Sequence, residues 1–172
     1  MKNLQALTTG GVALCLASCF LSPLPDMKTA ADRARAVEPK CVSISDTKVA
    51  SLASPASIES VEPSYSFVPS TGTDHEARLR GALLHVRPVA GLSKEALARG
   101  LECHEARVTL GRATPFVDDP YTLADHWLSI DVDSEGDGFA VNVRADDFRS
   151  AGRVLERAKL FASSAPPGAA PP

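Results

Sequence analysis

The segment LSIDVDSEGDGFAVNVR, Leu128 to Arg144, decides how this chain folds. Leu128, Ile130 and Val132 alternate with Trp127, Ser129 and Asp131; beyond Ser134-Glu135-Gly136-Asp137-Gly138, Phe139, Val141 and Val143 alternate with Ala140, Asn142 and Arg144. Period-two alternation on both sides of a glycine-rich turn predicts a β-hairpin with one apolar and one polar face. Upstream, Gly81-Ala82-Leu83-Leu84-His85-Val86-Arg87 reads as a further strand that stops at Pro88, where the missing N–H would interrupt a ladder.

Helices lie on either side of the hairpin. Ser93 is placed to cap one, with Glu95 in its first turn and Gly111 past its end. At about 100° per residue, Leu97, Leu101, His104 and Val108 form its apolar stripe. Asp146-Asp147 caps the second, whose inward stripe is expected at Phe148, Ala151, Leu155, Ala158 and Ala162, widened by Val154 and Phe161.

The order strand, helix, strand, strand, helix, with a right-handed crossover after the first strand, puts both helices on one face of a small sheet. The expected fold is a small two-layer α+β sandwich with the third strand between the other two. It resembles a ferredoxin-like split βαβ unit without the last strand. The first strand then leaves an open edge, available to the Tyr65-Ser66-Phe67-Val68 segment or, in a homodimer, to a second copy of the chain. Alternation also assigns an outer sheet face: Leu83, His85, Arg87, Trp127, Ser129, Asp131, Ala140, Asn142 and Arg144. A polar face with one tryptophan suits an anchor with orienting contacts, which makes His85, Arg87, Trp127, Ser129, Asp131, Asn142 and Arg144 the candidate binding face; the alternative is a solvated sheet surface on which Trp127 packs against the tether.

Composition divides the rest. From Phe20 to Thr73 there are six prolines and ten serines in 54 residues, whereas only three of the 13 prolines fall between Asp74 and Ala162. Residues 74–162 are therefore expected to form the domain, 19–73 a Pro/Ser-rich tether spanning about 40 Å as a coil, and 163–172 a disordered tail. Within the tether, Ala30 to Ala36 has the length of a helical turn or two. With 18 basic and 21 acidic residues the formal charge is -3, which gives no electrostatic footprint for nucleic acid.

Residues 1–18 read as a targeting segment: a cationic Met1-Lys2-Asn3, then an apolar run through Val12 and Leu14 ending at Leu16-Ala17-Ser18-Cys19. The run is shorter than the roughly 20 apolar residues that cross a bilayer. Leu16-Ala17-Ser18-Cys19 resembles the lipobox of bacterial lipoproteins, which implies cleavage before Cys19 and acylation of its sulfur. The same resemblance implies the outer rather than the inner membrane, since Phe20 stands where an aspartate typically retains such proteins at the inner one. Cys15 leaves with the signal, so Cys41 and Cys103 are the remaining thiols, either paired in an oxidising compartment or both free.

Cys103-His104, with His85 elsewhere, supplies the soft and imidazole ligands that copper(I) or zinc prefers. Neighbours on a helix point about 100° apart, however, and neither C-x-x-C nor H-x-x-x-H occurs, so a packed histidine beside a structural cysteine is the preferred reading. Asp131, Asp133, Glu135, Gly136 and Asp137 match the first half of an EF-hand calcium loop, but Asn142 stands where its bidentate glutamate is required. A hairpin turn accounts for them. There is no G-x-S-x-G and no phosphate-binding glycine loop, and Asp118-Asp119-Pro120-Tyr121 has the residues of a turn. The expected function is a lipid-anchored envelope module that binds or scaffolds an envelope protein or glycan, with no cofactor and no catalysis. The alternative is a metal-binding or redox-linked envelope protein using Cys103, His104 and His85.

Overall fold

The computed structural model describes residues 29–44, 54–69 and 75–165. The expected targeting segment, Cys19 and residues 166–172 of the expected tail lie outside them. Helix α1 is Ala30–Val37, followed by a 3-10 turn at Glu38–Cys41. A second 3-10 turn, Pro55–Ser57, leads into β1 (Ile58–Pro69), then β2 (His75–Val86), α2 (Lys94–Thr109), β3 (Ser129–Glu135), β4 (Gly138–Arg144) and α3 (Phe148–Ser163). Among the described residues no helix is long and apolar enough to cross a membrane.

The four strands form one antiparallel sheet in the order β1-β2-β4-β3. Its register follows the alternation. Leu84 faces Val141 and Ala82 faces Val143 across β2 and β4, while Val132 and Ile130 face the same two valines from β3. Aligning these side chains across the pleat gives one apolar surface. Leu97 and Leu101 of α2 and Ala151, Val154, Ala158 and Phe161 of α3 bury it, with Tyr121, Leu123 and Leu128 filling the end. The fold is the small α+β sandwich expected, and β4 lies between β2 and β3 as the split βαβ unit requires.

Caps form where the sequence places them. Ser93 Oγ accepts from the Ala96 N–H at 3.2 Å, and Asp147 Oδ1 accepts from the Ser150 N–H at 3.0 Å. Each is worth about 1 kcal/mol. Gly111, at φ 67°, supplies the left-handed residue after α2. The buried stripe of α3 is centred on Ala151, Val154, Ala158 and Phe161, with Leu155 and Ala162 at its margin. Phe148, expected in that stripe, is 75% exposed: Ser150 and Ala151 of the same turn are buried, but at about 100° per residue Phe148 points roughly a quarter-turn away from the centre of the buried stripe.

The tether boundary at residue 73 needs correction. β1 fills the open edge of β2, pairing from Ile58↔Val86 to Pro69↔His75. It supplies from the N-terminal side the fourth strand that the split βαβ unit lacks after α3. Pro63 is compatible with this role because an edge strand can dispense with one N–H. Helix α1 also belongs to the folded body, closed by a capping box between Thr29 and Asp32. Its Ala34 and Val37, together with Cys41, pack on Cys103 and Ala106 of α2 in a second apolar cluster. Cys41 and Cys103 are joined by a disulfide across a separation of 62 residues.

Between β1 and β2 the register shifts, so that Ser64 faces Gly81 and Tyr65 faces Leu79, leaving Arg80 as an extra residue. A Cβ on Gly81 would stand 1.9 Å from the Val143 carbonyl oxygen, in the middle of the sheet. Gly81→Ala must therefore part β2 from β4, and a loss of about 2 kcal/mol in urea unfolding is expected. Gly152→Ala is the contrasting case. No atom lies within 4 Å of the place its new methyl would take on α3, so a gain of about 0.5 to 1 kcal/mol is expected.

Candidate outer-face binding site

The register assembles the outer face in rows. Ser60, His85, Ala140 and Asp133 share one row; Glu62, Leu83, Asn142 and Asp131 the next; Ser64, Gly81, Arg144 and Ser129 a third. His85 reaches side chains of two other strands: its Nδ1 lies 2.5 Å from Glu135 Oε2, and its Nε2 lies 3.9 Å from Glu62 Oε1. Arg144 pairs with Asp131, and Arg87 Nε lies 3.5 Å from Glu59 Oε1. Arg144 Nη2 also reaches Ser129 Oγ at 3.5 Å.

Three polar atoms of this face, His85 Nε2, Asn142 Oδ1 and Arg144 Nε, are buried without a hydrogen-bond partner among the described residues. Each such atom costs about 1 to 3 kcal/mol relative to a satisfied one. They include an acceptor (Asn142 Oδ1), a donor (Arg144 Nε) and an imidazole nitrogen, grouped on β2 and β4. That set complements a neutral group that both donates and accepts, such as a hydroxyl or an amide. The surrounding charge is mainly acidic, from Glu59, Glu62, Asp131, Asp133 and Glu135.

No protein family, curated protein or solved structure matches this chain. The residues alone therefore carry the reading. Of the expected face, His85, Arg87, Ser129, Asp131, Asn142 and Arg144 take their places, and β1 adds Glu62. Trp127 does not. β3 begins at Ser129, so the alternation that sides Trp127 with Asp131 has no strand beneath it; the indole instead packs against the cluster of Ala34, Val37, Cys41, Cys103 and Ala106 around the disulfide.

The metal candidates are not brought together. Cys103 is bonded to Cys41, which removes its thiolate, and His85 lies on the outer sheet face, away from the helices. His104 Nε2 lies 2.6 Å from Asp119 Oδ2, with both side chains buried and the Phe116 ring stacked on the imidazole at 4.5 Å. Asp119 also accepts N–H groups from Phe116 at 3.2 Å and Tyr121 at 2.9 Å. One carboxylate thus pins the loop before the hairpin to α2. The residue expected only to make a turn is fully buried and holds the core together.

Sequence reasoning missed Glu105. Its side chain is buried on α2, and its Oε1 accepts the Leu128 N–H at 2.5 Å. Burial, with Glu102 and Asp119 nearby, outweighs that bond and Arg33 and pushes the carboxyl up to about 9, so it is protonated at neutral pH. The available signal was its position, next to His104 and one turn after Leu101 on the flank of the apolar stripe.

Proposed function

We propose that this protein is a lipid-anchored module of the bacterial envelope that binds a protein or glycan on its outer sheet face and catalyses no reaction. The observation that carries the export half is the Cys41–Cys103 bridge. Disulfides persist in oxidising compartments, where a chain with a lipobox-like Leu16-Ala17-Ser18-Cys19 would be delivered. The residue after the cysteine, Phe20, favours the outer membrane.

The binding half rests on the three orphaned polar atoms of the sheet face. A ligand bearing hydroxyls or amides would satisfy them, and basic groups on it would meet the acidic rim. The His104–Asp119 pair, buried with Phe116 stacked on the imidazole, serves as a tie between α2 and the loop before the hairpin.

Cys19→Ser tests the anchor. One acyl chain binds membranes only marginally and several hold firmly, so the wild type should label with palmitate and fractionate with membranes. The variant should be unlabelled and soluble. A wild type that is unlabelled and already soluble would overturn the lipoprotein reading.

A further inference from the structure

The protein is acidic overall, yet its charge is divided between two faces. On α3, Arg149, Arg153 and Arg157 recur every four residues, which stacks them in one stripe at about 100° per residue. Arg149 and Arg153 are exposed and Arg157 is half-buried, donating to the Thr122 carbonyl at 2.7 Å. Lys159 is a fourth cation, on the other margin of the exposed face, and Glu156, the single acid on the helix, lies between it and Arg149. Among the described residues, Arg149, Arg153 and Lys159 take no ion-pair partner. Leu160, 47% exposed, lies in the same sector.

The stripe borders a groove of about 510 Å³, walled by Arg153 and Arg157 on one side and by Thr29, Ala30 and Ala31 on another, with Asp125 as its acid. The chain thus enters the folded body beside the basic stripe. Only residues 20–28 separate Thr29 from Cys19, and those ten peptide steps reach at most about 36 Å. An anchor on Cys19 would keep this side of the molecule within that reach of the lipid headgroups.

We propose that the Arg149-Arg153-Arg157 face of α3 docks on anionic phospholipid of the membrane that carries the anchor, turning the acidic outer sheet face away from it. This orientation rests on the lipoprotein reading above, and it gives the binding face a direction: toward partners on the far side from the bilayer. Anionic headgroups attract each cation near the surface and act over roughly a Debye length, about 10 Å at 0.1 M salt and 3 Å at 1 M.

The test uses the full mature chain carrying Cys19→Ser, so that no acyl group contributes, in co-sedimentation with vesicles of phosphatidylglycerol and phosphatidylethanolamine or of phosphatidylcholine alone. Sedimentation with the anionic vesicles only, lost at high salt, is expected. Arg149→Glu/Arg153→Glu/Lys159→Glu should weaken it about tenfold or more, with thermal unfolding unchanged, whereas Arg78→Glu on β2 should not. No sedimentation, equal sedimentation with both vesicles, or an undiminished triple variant overturns the docking. Retention of the chain on an acidic polysaccharide without vesicle binding also overturns it and reassigns the stripe. Palmitate labelling of wild-type Cys19 is read separately, so a failed anchor and a failed docking face are distinguishable.

Discussion

Replacing both Cys41 and Cys103 with alanine is expected to lower the unfolding free energy by about 4 kcal/mol, the chain-entropy value for a loop of this length. The bridge spans 62 residues that include all of β1 and β2, so breaking it releases the unfolded chain from a long closure. It also leaves α1 and the turn after it held by packing and by polar ties, among them Arg112 to Glu38. Ala34 and Val37 contact Ala106, and Arg107 Nη2 donates to the carbonyls of Cys41 at 2.9 Å and Ile44 at 2.6 Å. Urea unfolding of the double variant should therefore show a lower midpoint, and amide exchange in α1 should become fast while β2 and β4 stay protected. A loss below about 1 kcal/mol, with α1 still protected, would mean that packing alone seats the helix.

Glu105 is expected to make stability fall as pH rises. Its folded carboxyl titrates near 9, against 4.5 for the unconstrained group. Between those values the unfolded chain has lost a proton that the folded one keeps. Raising the pH thus favours unfolding, by up to about 1.4 kcal/mol per unit, and the trend ends above pH 9, where both states are ionised. The full effect is present above the folded value and absent below the unfolded one. Glu105→Gln retains an acceptor for the Leu128 N–H and removes the ionisation, so at pH 8 it should be the more stable protein by about 5 kcal/mol at most. Its stability profile from pH 5 to 9 should also be flatter than wild type, measured by urea unfolding at each pH. Parallel profiles would show that the carboxylate is accommodated ionised.

What was legible in the sequence was whatever repeats with a period. Ile130, Val132, Val141 and Val143 announce the hairpin, Ser93 and Asp147 announce their helices, and the crossover then leaves β4 only the central position. β1 was harder to read because Glu62, Ser64 and Ser66 on one side of it, with Pro63 and Pro69 within it, have the composition of a linker. Its partner, not its own hydrophobicity, makes it a strand. Trp127 misled for the opposite reason, since alternation was carried two residues past the start of β3. Asp119 and Glu105 are acidic residues, and sequence alone places acidic residues at the surface. Their burial depends on contacts with His104, fifteen residues from Asp119, and with Leu128, 23 residues from Glu105. On the outer face, the side chains could be assigned from period two, but Glu62 could join His85 only once β1 was paired.

The proposed anchor joins a disulfide-closed domain to a membrane through an acylated Cys19, ten residues before the first helix cap at Thr29. The most direct measurement is the intact mass, without reduction, of the protein extracted from envelope membranes. One chain starting at Cys19, heavier by its acyl groups and lighter by the two hydrogens of a Cys41–Cys103 bridge, is the expected result. A chain that starts elsewhere without acyl mass, or one in which Cys41 and Cys103 both alkylate freely, would contradict it.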